Sequence, residues 1–349
     1  MFKGWKIWVL SAIACLFVIV TACQSPRPVA QPSSPSPSPE SSPVASPSIS
    51  PALPPPVSEP PPIVSRERLM TDLKALNFER YTAAELQKTR AYIAQTLTSA
   101  GWTVSEQPFD TGVNVVAERP GIDPNAGVVL VGAHYDSVRG SPGADDNATG
   151  VVAALEVARL LGDLKTLRPL RIVLFDQEEA GLVGSYAYAQ RPDNLKNLEG
   201  VVILEMLGYS CSTPGCQQKP GEFKVELPSD RGDFLAIAGD AEHLPLLNAF
   251  SDNHKPNLPP LVSVSVPFKG LLTPVVLRSD HTPFWFEGIG AVMVTDTAHL
   301  RNPHYHRRTD TPDTVDPTFL QGNTQTVVNA VTSLLDRPKS FRTVNDQES

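Results

Sequence analysis

Four continuous apolar runs in this chain are each followed closely by acidic residues or histidines. The runs cover residues 128–133, 172–175, 201–204 and 291–294. Continuous runs rich in β-branched residues are typical of strands that are buried on both faces of a sheet. In an open α/β sheet, ligands bind in the crevice outside the carboxyl ends of the strands. The pattern therefore predicts a site where the ends of several strands meet.

Amphipathic segments alternate with the apolar runs. The segment from Thr82 to Ala100 is predicted to be a helix, because Thr82 and Glu85 form a capping box and Gly101 is a stop signal. Further helices are predicted at 149–161, 182–190, 281–287 and 318–335, with 236–250 helical in part, and further strands at 104–109 and 113–118. Strands that alternate with helices indicate parallel βαβ units and an α/β fold.

The first 22 residues have the pattern of a bacterial lipoprotein signal peptide. Lys3 and Lys6 precede an apolar run at 7–20, which is short for a membrane span and fits the apolar core of a signal peptide. The letters VTAC then end in Cys23 and match a lipobox, so Cys23 is predicted to carry a lipid. We therefore expect an exported protein that is lipid-anchored to a bacterial membrane, facing the periplasm or the exterior. A plain signal peptide or an uncleaved anchor is the alternative.

The rest of the chain divides by composition. Residues 23–64 are rich in Pro and Ser and show no hydrophobic periodicity. Such a segment cannot bury enough apolar surface to offset the entropy lost on ordering, so it is predicted to be a disordered linker. Residues 65–340 are predicted to form one large α/β domain, and 341–349 a tail.

Charge and cysteine content narrow the class of protein further. The net charge is -8, and the absence of a basic stripe argues against nucleic acid as a partner. Cys211 and Cys216 lie close together in a loop rich in Ser, Pro and Gly. In an exported protein they form a local disulfide or stay as two free thiols.

The residues that follow the first run suggest a metal ligand and its support. His134 and Asp136 share a face if the segment is extended, so Asp136 can hold the ring of His134. A loop histidine beside an exposed Asp136 is the alternative. Asp145 and Asp146 open the next predicted helix, where one acid is either a capping group or a metal ligand.

The acids and histidines after the later runs complete a metal-ligand set. Glu178 and Glu179 are adjacent at the end of a buried strand, which is costly unless their charges are compensated. One is predicted to bind a metal and the other to accept a proton from water; a solvated turn is the alternative. Glu205 follows the third run directly and is predicted to be a ligand. His304 and His306 would share one face of an extended segment, and either can bind a metal.

Six motifs, in this order, resemble those of metallopeptidase family 28, which includes dizinc aminopeptidases. They are HYDS at 134–137, GADDNATG at 143–150, EEAGLVGS at 178–185, EMLGY at 205–209, SDHTPFW at 279–285 and NPHYHRRTDTPDTVD at 302–316. The resemblance covers residues 80–335 and implies an α/β fold with a mixed, mostly parallel central sheet flanked by helices. It also implies a zinc-dependent exopeptidase that acts on peptides, with an aminopeptidase favoured.

The resemblance assigns the metal ligands residue by residue and implies two zinc ions as cofactors. His134 and Glu205 would bind one ion, and Glu179 and His306 would bind the other. Asp146 would bridge the two ions, and in the family a cis peptide bond often follows this acid. The family commonly has Asp where this chain has Glu205.

The resemblance also implies three catalytic roles. Glu178 would act as the general base and then as the general acid. Asp136 would orient His134, and Tyr305 matches a residue that helps to hold the developing oxyanion. An acyltransferase of the glutaminyl cyclase type, with one zinc ion, and a non-catalytic binding ectodomain are the alternative functions.

Overall fold

The structure is a computed structural model that describes residues 61–219, 221 and 226–343. The predicted signal peptide, the lipidation site at Cys23 and nearly all of the predicted linker lie outside these residues. Among the helices of the described part, none combines the length and the apolar character that a bilayer crossing needs.

Eight strands form one sheet, in the order β1-β2-β4-β3-β5-β8-β6-β7. Their bounds are β1 Thr103–Pro108, β2 Val113–Arg119, β3 Val128–His134, β4 Leu170–Phe175, β5 Leu198–Glu205, β6 Leu235–Asp240, β7 Leu261–Val266 and β8 Ala291–Thr295. Strands β4, β3, β5 and β8 are parallel neighbours, and so are β6 and β7. The remaining neighbours, β1 with β2, β2 with β4 and β6 with β8, are antiparallel. The predicted mixed, mostly parallel sheet is confirmed.

Helices cover both faces of the sheet. Their bounds are α1 Arg66–Ala75, α2 Ala83–Ser99, α3 Gly150–Leu161, α4 Val183–Ala189, α5 Pro192–Leu195, α6 Leu244–Asp252, α7 Thr282–Phe286 and α8 Pro317–Asp336. Alternate residues of β3 point to opposite sides: Val129 and Val131 join the larger core, with α3 and α8, while Val128 and Leu130 join the smaller core, with α4 and α7. Burial on both faces explains why this strand is apolar at every position before His134.

The local signals in the sequence act as expected at α2. Thr82 is the N-cap of this helix, and its side chain accepts a hydrogen bond from the backbone N–H of Glu85. The Glu85 carboxylate in turn accepts from the backbone N–H of Thr82 at 2.8 Å, which completes the capping box. Gly101 follows the helix with a φ of +83°, a conformation that glycine adopts without steric cost.

Residues 236–250 were predicted to be helical in part, and the helical part is their second half. Residues 235–240 form β6, which pairs with β7 on one side and β8 on the other, and α6 begins only at Leu244. Sheet pairing on both sides overrides the weak β-propensity of its alanines and glycine. Strand β7 and helix α1 were not predicted. Cys211 and Cys216 are joined by a disulfide bond.

Candidate metal centre

The predicted ligands meet at one edge of the sheet because their strands are parallel neighbours. His134 is the last residue of β3, and Glu205 is the last residue of β5. Glu178 and Glu179 follow the end of β4, in the turn that leads to α4. Asp146 lies in the irregular turn that precedes α3. The carboxyl ends of these strands therefore form one wall of the site, as expected for this kind of sheet.

A first group of donor atoms surrounds the buried imidazole of His134. Its Nε2 atom lies 3.5 Å from Oδ1 of Asp146 and 3.6 Å from Oε1 of Glu205. It also lies 3.9 Å from Oε2 of Glu178. The structure thus brings the predicted general base and the predicted ligands of one ion to the same imidazole.

A second group of donor atoms surrounds His306, which lies in the loop after β8. The Nε2 atom of His306 is 3.2 Å from Oδ2 of Asp146 and 3.1 Å from Oε2 of Glu179. The two carboxylate oxygens of Asp146 therefore face different histidines, Oδ1 toward His134 and Oδ2 toward His306. That is the arrangement that a carboxylate bridging two ions requires.

The two groups have the chemistry of divalent cation sites. Donor atoms of His134, Glu178 and Glu205 lie within 4.8 Å of one another, and a second such set comes from Asp146, Glu179 and His306. Three buried atoms, Nε2 of His134, Oδ2 of Asp146 and Oε1 of Glu179, have no hydrogen-bond partner among the described residues. Imidazole nitrogens and carboxylate oxygens are ordinary ligands of zinc, so the residues present fit zinc at both positions.

The electrostatics of the centre favour positive charge. Burial raises the pKa of Glu179 to about 7 and raises that of Glu178 well above its usual range. Burial lowers the pKa of His134, but the surrounding carboxylates, Glu178 first, outweigh it and raise this pKa well above its usual value. Burial also opposes the charge of His306, yet its close contacts with the carboxylates of Asp146 and Glu179 raise its pKa to about 10. Carboxylates held out of water in this way are stabilised by nearby cations.

Asp136 holds both the first histidine and the glutamate turn in place. Its Oδ1 atom lies 3.2 Å from Nδ1 of His134 and accepts a hydrogen bond from the backbone N–H of Glu178 at 3.1 Å. Its Oδ2 atom accepts from the backbone N–H of Glu179 at 3.2 Å. A carboxylate on the far nitrogen of a metal-binding histidine fixes the tautomer and the orientation of the ring.

The turn that carries Asp146 is fixed by groups that the sequence reasoning missed. The Asp310 carboxylate accepts hydrogen bonds from the backbone N–H groups of Asp145 and Asp146, at 2.9 and 3.1 Å. The amide of Asn147 donates to the carbonyl of Leu204 at 2.8 Å, which ties the turn to the end of β5. The peptide bond between Asp146 and Asn147 is cis, as the resemblance implied.

Arg80 supports the same region from the other side and was also missed. Its side chain is fully buried, and it donates hydrogen bonds only to backbone carbonyls, those of Leu76, Phe78, Tyr135, Pro142 and Gly143. These bonds connect the segment before α2 to the loop that leads from the first histidine to the bridging acid. Asp310 belongs to the motif at 302–316, whereas no pattern in the sequence indicated a role for Arg80.

Two side chains complete the wall of the site, and His304 does not. The hydroxyl of Ser279 donates to Oε2 of Glu205 at 2.7 Å. The ring of Tyr305 stacks on the ring of His306, with centroids 3.8 Å apart. His304 instead places its Nδ1 atom 2.9 Å from Thr309 Oγ1.

A cavity of about 150 Å³ adjoins the centre, with Glu205 and Tyr305 in its lining. The rest of the lining is mostly apolar and comes from β6, β7, β8 and the segment before α7, including Phe234, Ala238, Val264, Val276 and Met293. A concave apolar site beside a few polar groups is typical of a substrate pocket.

Comparisons with known proteins agree with this architecture. The family model described as Peptidase family M28 matches residues 114–331. The chain is 34% identical over 250 residues to the uncharacterized protein YfbL of Escherichia coli, an alignment that covers 65% of this chain and 74% of that protein. It is 29% identical over 253 residues to the probable lipoprotein aminopeptidase LpqL of Mycobacterium tuberculosis, which covers 67% of this chain and 47% of that protein.

Solved structures share the fold. An aminopeptidase from Aneurinibacillus aligns with a TM-score of 0.61 at 18% identity, covering 81% of this chain and 97% of that one. A glutaminyl cyclase from Porphyromonas gingivalis aligns with a TM-score of 0.59 at 18% identity, covering 78% of this chain and 99% of that one. The sequence match over most of the domain, on a sheet that gathers this donor set, identifies the chain as a member of peptidase family M28 and a hydrolase of peptide bonds.

Proposed function

We propose that the protein is a dizinc aminopeptidase that removes N-terminal residues from peptides. The observation that carries this proposal is the placement of Asp146, whose carboxylate oxygens face His134 on one side and His306 on the other. In the proposal His134 and Glu205 hold one zinc ion, Glu179 and His306 hold the other, and Asp146 bridges them. The bound ions supply Lewis-acid polarisation of the scissile carbonyl and make water a stronger acid.

Glu178 is the proposed proton carrier. Its carboxylate lies 3.9 Å from Nε2 of His134, and none of its oxygens accepts a hydrogen bond from the described residues. It is therefore free to accept the proton of the attacking water and to deliver it to the nitrogen of the leaving amine. Asp136 positions it by accepting the hydrogen bond from its backbone N–H at 3.1 Å.

The oxygen of the scissile carbonyl gains negative charge as water adds to the carbon. Tyr305 lines the cavity beside Glu205 and stacks on His306. We propose that its phenol donates a hydrogen bond to that oxygen, because a donor aimed at developing charge in a desolvated site stabilises the transition state strongly. Burial, followed by the neighbouring acids, raises the pKa of Tyr305, so its phenol keeps the proton that it donates.

The first test compares aminoacyl and peptide substrates that differ only at the N-terminus. We expect the zinc-loaded protein to cleave leucyl peptides with a free amine and to lose cleavage when the amine is acetylated. Equal cleavage of free and acetylated peptides would contradict an aminopeptidase. The protein would then be a peptidase that does not require a free N-terminal amine. Peptides with N-terminal glutamine belong in the panel, because cyclisation with release of ammonia, and no peptide cleavage, would establish the acyltransferase instead.

We also propose that the chain is exported and held on a bacterial membrane by lipid on Cys23. The proposal is supported by Lys3 and Lys6, the apolar run that follows them and the VTAC letters that end in Cys23. The mycobacterial relative described as a probable lipoprotein supports it too. We expect wild-type protein expressed in bacteria to incorporate labelled fatty acid and to sediment with membranes, and Cys23→Ser to do neither. Labelling that survives Cys23→Ser would contradict the assignment.

A further inference from the structure

One cationic side chain lines the cavity that adjoins the metal centre. Arg278 immediately precedes Ser279, whose hydroxyl holds Glu205, and it belongs to the same lining as Glu205 and Tyr305. One continuous space therefore touches a proposed zinc ligand, the proposed oxyanion donor and a guanidinium group.

The size of this cavity limits the substrate group that can extend from the metal centre to the guanidinium of Arg278. A cavity of about 150 Å³ holds a group about as large as benzene, which is close to one large apolar side chain. A substrate whose scissile bond lies near Glu178 and Tyr305 would thus fill the cavity with the side chain of a single residue. Arg278 is itself exposed and lies at the edge of this space, so a group at the outer end of that residue can reach its guanidinium.

The charge of Arg278 is not engaged by the protein around it. Among residues 61–219, 221 and 226–343, its guanidinium takes part in no ion pair and no hydrogen bond. Arg80, by comparison, donates to a set of backbone carbonyls, and Arg301 donates to Gln217 and to the carbonyl of Phe234. Arg278 still acts at short range, since its charge, after burial, lowers the pKa of the neighbouring His299.

We propose that Arg278 binds a free carboxylate on the substrate residue that occupies the cavity. A guanidinium forms paired, charge-assisted hydrogen bonds with a carboxylate, and such bonds are stronger than those between neutral groups. The apolar walls select the body of the residue, and Arg278 selects its anionic group. This inference rests on the proposed peptidase function and adds to it a substrate class, peptides that present a carboxylate next to the scissile bond.

Two chemical sources can supply that carboxylate, and matched substrates distinguish them. The α-carboxylate of a dipeptide is tested by comparing Ala-Leu with Ala-Leu-amide. An acidic side chain is tested by comparing the p-nitroanilides of Glu and Gln. Each pair differs in charge at nearly constant shape.

The experiment compares kcat/KM for both pairs in the zinc-loaded parent, in Arg278→Gln and in the control Arg231→Gln, which alters an exposed arginine outside the cavity lining. We expect the parent to favour the carboxylate member of one pair by about 10-fold or more, the effect of one hydrogen bond to a charged group. Arg278→Gln should cleave the two members of that pair at similar rates, whereas Arg231→Gln should behave as the parent. Equal zinc content and equal thermal unfolding confirm that the variants are folded.

A binding measurement separates failure of this inference from failure of the proposed function. Titration calorimetry on zinc-loaded Glu178→Gln protein should show Ala-Leu, or the acidic substrate, binding about 10-fold more tightly than its neutral partner. Adding Arg278→Gln should remove the difference. If the parent cleaves both members of both pairs equally well, the role of Arg278 is refuted while the peptidase stands. If the parent cleaves no member and binds none, the proposed function fails instead.

Discussion

Replacing Glu178 with Gln is expected to abolish peptide hydrolysis while leaving two zinc ions bound. The amide keeps the size of the side chain but cannot accept a proton from water. A positioned general base contributes about 100-fold to 10,000-fold to the rate, so kcat should fall by that range. The measurement is steady-state hydrolysis of a leucyl substrate, combined with the zinc content of the same preparation by mass spectrometry.

Zinc content is informative because Glu178 lies close to the first group of donor atoms. Its carboxylate is as near to the other donors of that group as a ligand would be. If Glu178→Gln loses one equivalent of zinc, Glu178 is a ligand and the proton carrier is another residue. The control is Glu287→Gln, which removes an exposed carboxylate after α7 and should change neither property. Comparable rates for Glu178→Gln and the parent would reject the base assignment.

Replacing Asp146 with Ala is expected to weaken both zinc sites at once. Among the residues that the structure describes, only this carboxylate lies close to both histidines, at 3.5 Å from His134 and 3.2 Å from His306. Loss of an outer partner of a metal ligand typically costs about 10-fold to 100-fold in metal affinity, and loss of a bridging ligand should exceed about 100-fold at each site. Zinc affinities measured by competition with a chelator check this.

Two variants calibrate that result. Asp136→Asn keeps all five proposed ligands but alters the support of His134 and of the turn that carries Glu178 and Glu179, so it should weaken zinc binding by about 10-fold to 100-fold. Asp313→Ala removes an exposed acid from a loop and should have no effect. Two zinc ions bound to Asp146→Ala as tightly as to the parent would mean that Asp146 does not bridge.

The sequence was most informative where burial on both faces dictates composition. Strand β3 is apolar up to His134 because both of its faces are covered, so the end of the strand, and the position of His134, could be predicted directly. Strand β6 escaped prediction because its alanines and glycine have low β-propensity, and only pairing with β7 and β8 makes it a strand. Long-range pairing of this kind leaves no periodic signal in the chain.

The ligands were predictable and much of their support was not. Each ligand follows a strand or stands in a motif, and its residue type alone indicates metal binding. Arg80 and Asp310 form hydrogen bonds with backbone groups of distant segments. Every residue type has these backbone groups, so the sequence does not show which of them will be bound. The turn at His306 was missed for a related reason, since its positive φ is set by its surroundings and is uncommon for any residue other than glycine.

Anomalous diffraction at the zinc absorption edge, from crystals of the zinc-loaded protein, tests the central claim most directly. The account predicts two zinc peaks on either side of the Asp146 carboxylate, one in contact with His134 and Glu205 and the other with Glu179 and His306. A single peak that leaves one of these histidines without metal, or peaks away from Asp146, would contradict it.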